Sequence, residues 1–249
     1  MPFTPSHIAA VLPFARTPLA PAALAIGSMA PDIPYFVPGD IAREFTHALH
    51  GAVSIDLAIG LLAFVSWLFV LRRPVLDYAP GWVRERMPAR PRWRARNAAL
   101  TGALLVAALE IGILTHLLLD EFTHEGGWLD SIAPWAGAQV GTFVAANLIH
   151  AVVSIALGLV LARWVRRWVQ RTPREPRMTR LTNRGRRTTW IGLTAVLAAV
   201  GASGWLVSIG AGEPPLDPDL LGHSFFVGAG VAGAVALILA LVWHLRRAL

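Results

Sequence analysis

Five stretches of this 249-residue chain are long and apolar enough to cross a bilayer, and no motif constrains the fold as strongly. By hydropathy they run Ala52–Leu71, Ala98–Leu119, Val140–Ala162, Thr189–Gly210 and Phe225–Trp243. A backbone in hydrocarbon must satisfy its own hydrogen bonds, so segments of this length read as helices. Composition agrees, since 15% of residues are charged, against about 25% in soluble domains. The expected fold is all-α: a polytopic membrane protein of about five transmembrane helices plus short N-terminal helices. The stretch Leu19–Ala30 is apolar but too short to span. With Pro21 inside it and Pro31 and Pro34 after it, it reads as a short helix beside the bundle or at the interface.

There is no internal repeat, and no polar segment is long enough for a core of its own, so the chain is expected to form one integral membrane domain. Within it, residues 1–51 read as extracytoplasmic or interfacial N-terminal helices and 52–162 as the first three spans. A basic loop (163–188) and the last two spans (189–249) follow. All 22 basic residues are arginine: eight lie in Arg72–Arg96, ten in Arg163–Arg187, and Arg246 and Arg247 follow the last span. The positive-inside rule assigns these three segments to the cytoplasm. An odd number of spans then puts the N-terminus outside and the C-terminus in the cytoplasm. Asp32, Asp40, Glu44, Glu121, Glu125, Asp130, Glu213, Asp217 and Asp219 all fall on the outer side of that topology.

Trp82, Trp93, Trp164 and Trp168 among the arginines read as interfacial anchors over anionic lipid. Nothing else in the chain supports nucleic-acid binding. Met1–Ser6 lacks the basic region of a cleavable signal peptide. Cysteine is absent, which excludes disulfides, thiolate metal sites and cysteine nucleophiles. A metal would have to be held by His, Asp and Glu, a donor set that suits zinc, manganese or iron.

Such donors meet in Thr115–His124, where His116, Asp120 and His124 recur at four-residue steps at the end of the second span. At about 100° per residue the three fall on one helical stripe. An imidazole and a carboxylate one turn apart can share a divalent cation, and both are costly to leave alone near lipid. Three other segments carry candidate ligands. His7 follows Thr4-Pro5-Ser6, where a helix can start; Asp32 ends Ser28-Met29-Ala30-Pro31; and His47 and His50 lie one turn apart before the first span, facing the same side.

His150 reads as near the middle of the third span, facing the bundle. Taken singly, these residues have plainer roles: a capping His7, an Asx-turn at Asp32, a satisfied buried His150. Glu110 lies about 120° round the helix from His116 and reads as the partner of a polar group such as Asn147, or as a protonated carboxyl, and not as a metal ligand. Asp56 is off the His47/His50 face and is left out of the ligand set.

Together, Asp32, His47, His116 and Asp120 are expected to converge on one metal with donor atoms within about 3–4 Å, with His7 or His50 beside them. His7 near a shared Asp120 would add a second ion. Such a site leaves positions for water, which suits catalysis by His116 and Asp120, the latter bridging two metals or acting as base.

The order Ser6-His7, Pro31-Asp32, Phe45-Thr46-His47 and His116-Leu-Leu-Leu-Asp120 resembles that of bacterial inner-membrane metal-dependent hydrolases. Met1–His7, Gly27–Asp32, Thr115–Trp128 and His150 more closely resemble a sister family of actinobacterial-type integral membrane proteins of unknown function; this likeness covers Met1 to about Leu161. Asp32, His47, His116, Asp120 and His124 are also distantly similar, in order, to the ligands of zinc-dependent phospholipase C and the S1/P1 nucleases. Those enzymes complete a three-zinc cluster with a His-x3-Glu, whereas His150 is followed four residues on by Ser154. The resemblance therefore implies one or two metals, zinc first among them. The function it implies is metal-dependent hydrolysis, of a phosphoester in a small molecule or lipid, at the outer face of a bacterial cytoplasmic membrane. A non-catalytic metal-binding or metal-transporting membrane protein is the alternative. It ranks lower because polar residues thin out beyond Glu110, Asn147 and His150.

Overall fold

The computed structural model describes residues 4–37, 43–88, 97–123, 132–133, 135, 138–140, 143–176, 179, 181–212 and 218–248. Five long helices carry the apolar windows: Leu49–Tyr78, Ala98–Glu121, Ala145–Arg171, Asn183–Gly210 and Pro218–Ala248. All five have the length and composition to cross a membrane, and the fold is that of a multi-pass, all-α membrane protein. Among the described residues the strand structure is a minimal antiparallel ladder, with Gln139 opposite Val144 and Val140 opposite Phe143.

Polar caps fix two helix starts, one at the edge of its hydropathy window and the other six residues ahead of it. The Asn97 side chain accepts from the Leu100 amide at 2.8 Å, and Thr182 accepts from the Gly185 amide at 3.0 Å. The third window errs the other way. Its first residues form the ladder, and the helix begins only at Ala145. His150 therefore sits in the second turn of that helix and not near its middle.

The chain divides into two compact units: Met1–Ile33, Ile41–Phe64 and Pro88–Arg171 form the first, and Pro34–Asp40, Val65–Met87 and Thr172–Leu249 the second. In the first, a 3₁₀ helix (Thr4–Arg16) and a short α-helix (Pro21–Gly27) pack on Ala98–Glu121. Pro21 opens the short helix at the position where its missing N–H costs nothing. Ala30, Ala52, Ile113 and Leu117 form the buried core, with Leu57 packed against it. On the third helix Val152, Ile155 and Leu159 form a stripe about two-thirds exposed (65%, 65% and 66%), a surface suited to lipid. In the second unit, Asn183–Gly210 and Pro218–Ala248 pack lengthwise, and the Trp243 indole N–H donates to Asp77 at 2.9 Å.

One contact sets the geometry of the first unit. Gly27 and Gly112 let the short helix press its backbone onto Ala98–Glu121. A Cβ on Gly27 would run into the Leu109 carbonyl, and one on Gly112 would stand 2.5 Å from the Leu24 carbonyl and 2.6 Å from the Ser28 amide. Gly112→Ala is expected to lose about 1–3 kcal/mol, read as a lower thermal midpoint in detergent. Gly102→Ala, in open space on the same helix, should leave the midpoint unchanged or raise it. Equal effects at both positions would contradict the close approach.

Candidate metal centre

His116 and Asp120 are buried on the inward stripe of Ala98–Glu121, while Leu114 and Leu118 face outward. Asp120 sits in the last turn, where the helix macrodipole disfavours a carboxylate and favours a cation. The short helix supplies the first constraint on the ring of His116. Its Nδ1–H donates to the Ser28 carbonyl at 2.9 Å, and a carbonyl can only accept. In the neutral ring this leaves Nε2 as a lone pair aimed into the cluster, the orientation a metal-binding histidine takes from its outer partner.

Asp32 arrives from the start of the 3₁₀ turn Ala30–Phe36, buried at the level of Ser28. Thr4 donates to its Oδ2 at 2.7 Å, so Oδ1 is the oxygen that faces the histidines. Behind His47, the Thr46 hydroxyl lies 3.0 Å from Nδ1, and the Nε2 end points inward. His7 comes from the first turns of Thr4–Arg16, and its ring stacks on that of His116 with centroids 4.0 Å apart.

Four donor atoms then meet. His47 Nε2 lies 3.4 Å from His116 Nε2, 3.4 Å from Asp32 Oδ1 and 3.4 Å from Asp120 Oδ2. His116 Nε2 lies 3.5 Å from Asp32 Oδ1 and 3.7 Å from Asp120 Oδ2. Bonds of about 2.1 Å to a tetrahedral ion require donor atoms about 3.4 Å apart along each edge of the tetrahedron. These five separations run from 3.4 to 3.7 Å, close to that edge length, and the donors of His47, His116 and Asp120 all lie near enough to one another to share an ion. Beside it, His7 Nε2 is 3.7 Å from Asp120 Oδ1, the oxygen that the quartet does not use. A carboxylate so placed can join two ions.

Electrostatics follows from this crowding. Burial works to raise the Asp32 carboxyl, as does the nearby Asp120. The hydrogen bond with His47, the charge of His116 and the Thr4 hydroxyl outweigh them, and the group ends below its ordinary value.

The remaining candidates lie elsewhere. His50 is exposed and rests edge-on against the Phe45 ring at 4.8 Å. His47 and His50 do not share a face, because Ala48 between them is extended (φ −115°, ψ 155°) and breaks the helical spacing. His150 is buried but belongs to neither group of donors close enough to share an ion, His7–Asp32–His116 or His47–His116–Asp120. His124 lies outside the described residues. Thr4, Ser28 and Thr46 orient the candidate ligands and carried no signal of their own, although all three stand in the motif blocks Thr4–His7, Gly27–Asp32 and Phe45–His47.

The chain belongs to the DUF4184 family. The family model, described as a domain of unknown function, matches residues 1–243. The match thus runs past Leu161, where the motif resemblance ends, through most of the last helix. No curated protein and no solved structure matches this chain.

The geometry makes a binding prediction. The lowered Asp32 stays ionised through mild acid, so the imidazoles decide when a metal leaves. Zinc binding in equilibrium dialysis should fall as pH drops through about 7 to 5, where imidazoles ordinarily protonate. Thr4→Val should weaken zinc binding about 10–100-fold without altering the helical content. Binding that is indifferent both to acid and to Thr4 would rule the cluster out as a zinc site.

Proposed function

We propose that this chain is a membrane-embedded, metal-dependent hydrolase acting on a phosphoester, in a small molecule or a lipid-linked substrate, at the extracytoplasmic face of a bacterial cytoplasmic membrane. The observation that carries the reading is the set of five donor separations among Asp32, His47, His116 and Asp120 that lie near the edge length of a metal tetrahedron. Zinc suits the donors best, with manganese or iron as substitutes. A second ion would rest on His7 and on Oδ1 of Asp120, with water and substrate completing its coordination. Metal in these positions supplies a water of lowered pKa and a counter-charge for phosphoryl oxygens. Asp120 holds both positions at a fixed spacing, and Ser28 fixes the tautomer of His116.

The orientation belongs to the same proposal. Twenty of 22 arginines lie in three segments that a five-span chain keeps on one side, in contact with anionic lipid of the inner leaflet. The cluster is then outside. A reporter fused after Leu249 should be active only in the cytoplasm, and activity confined to the exterior would invert the topology.

One observation favours a second reading. Four protein donors lie near one another here, the number that closes a structural zinc site, so a non-catalytic metal-binding or metal-transporting protein is the competitor. Turnover separates the two. Purified, zinc-loaded protein is expected to hydrolyse phospholipids, polyprenyl phosphates or a bis-aryl phosphodiester, to lose activity with chelator and to regain it with zinc or manganese. His116→Ala and Asp120→Ala should each cost about as much rate as the double variant, because ligands of one ion act as a unit. Bound zinc with no turnover of any of these substrates, and passage of zinc into liposomes, would replace hydrolysis by transport.

A further inference from the structure

Asp56 is the single titratable group between His50 and Arg72 on the first long helix. It is fully buried, and neither carboxylate oxygen has a hydrogen-bond partner among the described residues. Its depth follows from the helix register. One turn earlier, Ala52 packs in the core with Ile113 and Leu117; one turn later, Gly60 packs on Leu109. Asp56 therefore faces Ala98–Glu121 near the level of residues 111–113, roughly 6 Å further into the bundle than His116 at about 1.5 Å per residue. Its charge is within electrostatic reach of His47 on the outer side and of Glu110, half-buried on the facing helix. It also ends a π-helical turn, Ala52–Asp56, a distortion that recurs at functional positions because it frees backbone oxygens from the regular ladder.

A lone carboxylate in apolar surroundings is neutralised by a proton or a bound cation, and ionisable residues at this depth are too costly to keep without use. All ligands here are oxygens, unlike the mixed nitrogen and oxygen set nearer the mouth, and oxygen donors suit hard cations. We propose that Asp56, with Glu110 opposite, forms a second site, separate from the His/Asp cluster, that holds an exchangeable monovalent cation, a proton or sodium. The titratable groups around it are Glu110 and His116 from Ala98–Glu121, His47 from the segment before its own helix, and Asp32 and Asp120 at the mouth. The site stands whether or not the outer cluster is hydrolytic.

Dicyclohexylcarbodiimide tests this on the unmodified full chain in detergent, since it is apolar and reacts with carboxyls that carry their proton. Peptide mass spectrometry is expected to find Asp56 modified in mild acid. For a proton site, modification falls about tenfold per pH unit above its midpoint. For a sodium site, at fixed pH, it is suppressed by sodium chloride and not by choline chloride. Glu110→Gln should shift whichever dependence is found. Asp56 left unmodified in acid, or modified equally at every pH and sodium concentration, would make it a sealed polar group and overturn the proposal.

Discussion

Two carboxylates and three imidazoles crowd within a few ångströms of one another at the end of the second long helix, and the rest of the first unit is arranged around that crowding. Asp32 and Asp120 repel each other, and burial removes the water that would screen them. Two carboxylates facing the same imidazoles favour positive charge among them, as protons or as an ion between the rings. Either way the cluster holds only because its outer partners are fixed: Thr4 behind Asp32, Ser28 behind His116 and Thr46 behind His47.

Those outer partners depend in turn on backbone proximity. Ser28 meets His116 across 88 residues because Gly27 and Gly112 allow two helices to approach without side chains between them. The carbonyl that orients the ring is a backbone atom, carried by whichever residue ends the short helix. Side-chain chemistry at the mouth thus rests on the absence of side chains one turn deeper.

This explains what was legible in the sequence. The long helices could be read because apolar length is a local property, and His116 with Asp120 because i,i+4 spacing survives in any helix. Asp32 and His47 stood out through donor chemistry beside Pro31 and Thr46. Where the reading failed, it assumed helical periodicity that the chain does not keep. Ala48 is extended, so His50 swings away from His47; the third helix starts late, so His150 moves from mid-span to its second turn. Asp56 lies outside both groups of candidate donors, in keeping with its helical face, but its burial was not legible. Its place between two helices depends on which faces meet, a relation that no window of sequence contains.

The candidate ligands and their outer partners come from four separate stretches, around residues 4–7, 28–32, 46–47 and 116–120. As the chain leaves the ribosome, the first three emerge long before the fourth. The N-terminal 50 residues must therefore wait, incomplete, until the second long helix has been delivered to the membrane. Only then can His116 and Asp120 close loops that span up to about a hundred residues, at an entropic cost that grows slowly with length. An ion bound by all four stretches would act as a late clasp on the fold, fastening the beginning of the chain to a helix made much later. The order of synthesis and the order of assembly are thus opposed in this protein, and its early segments have to remain soluble or membrane-bound in a half-finished state meanwhile.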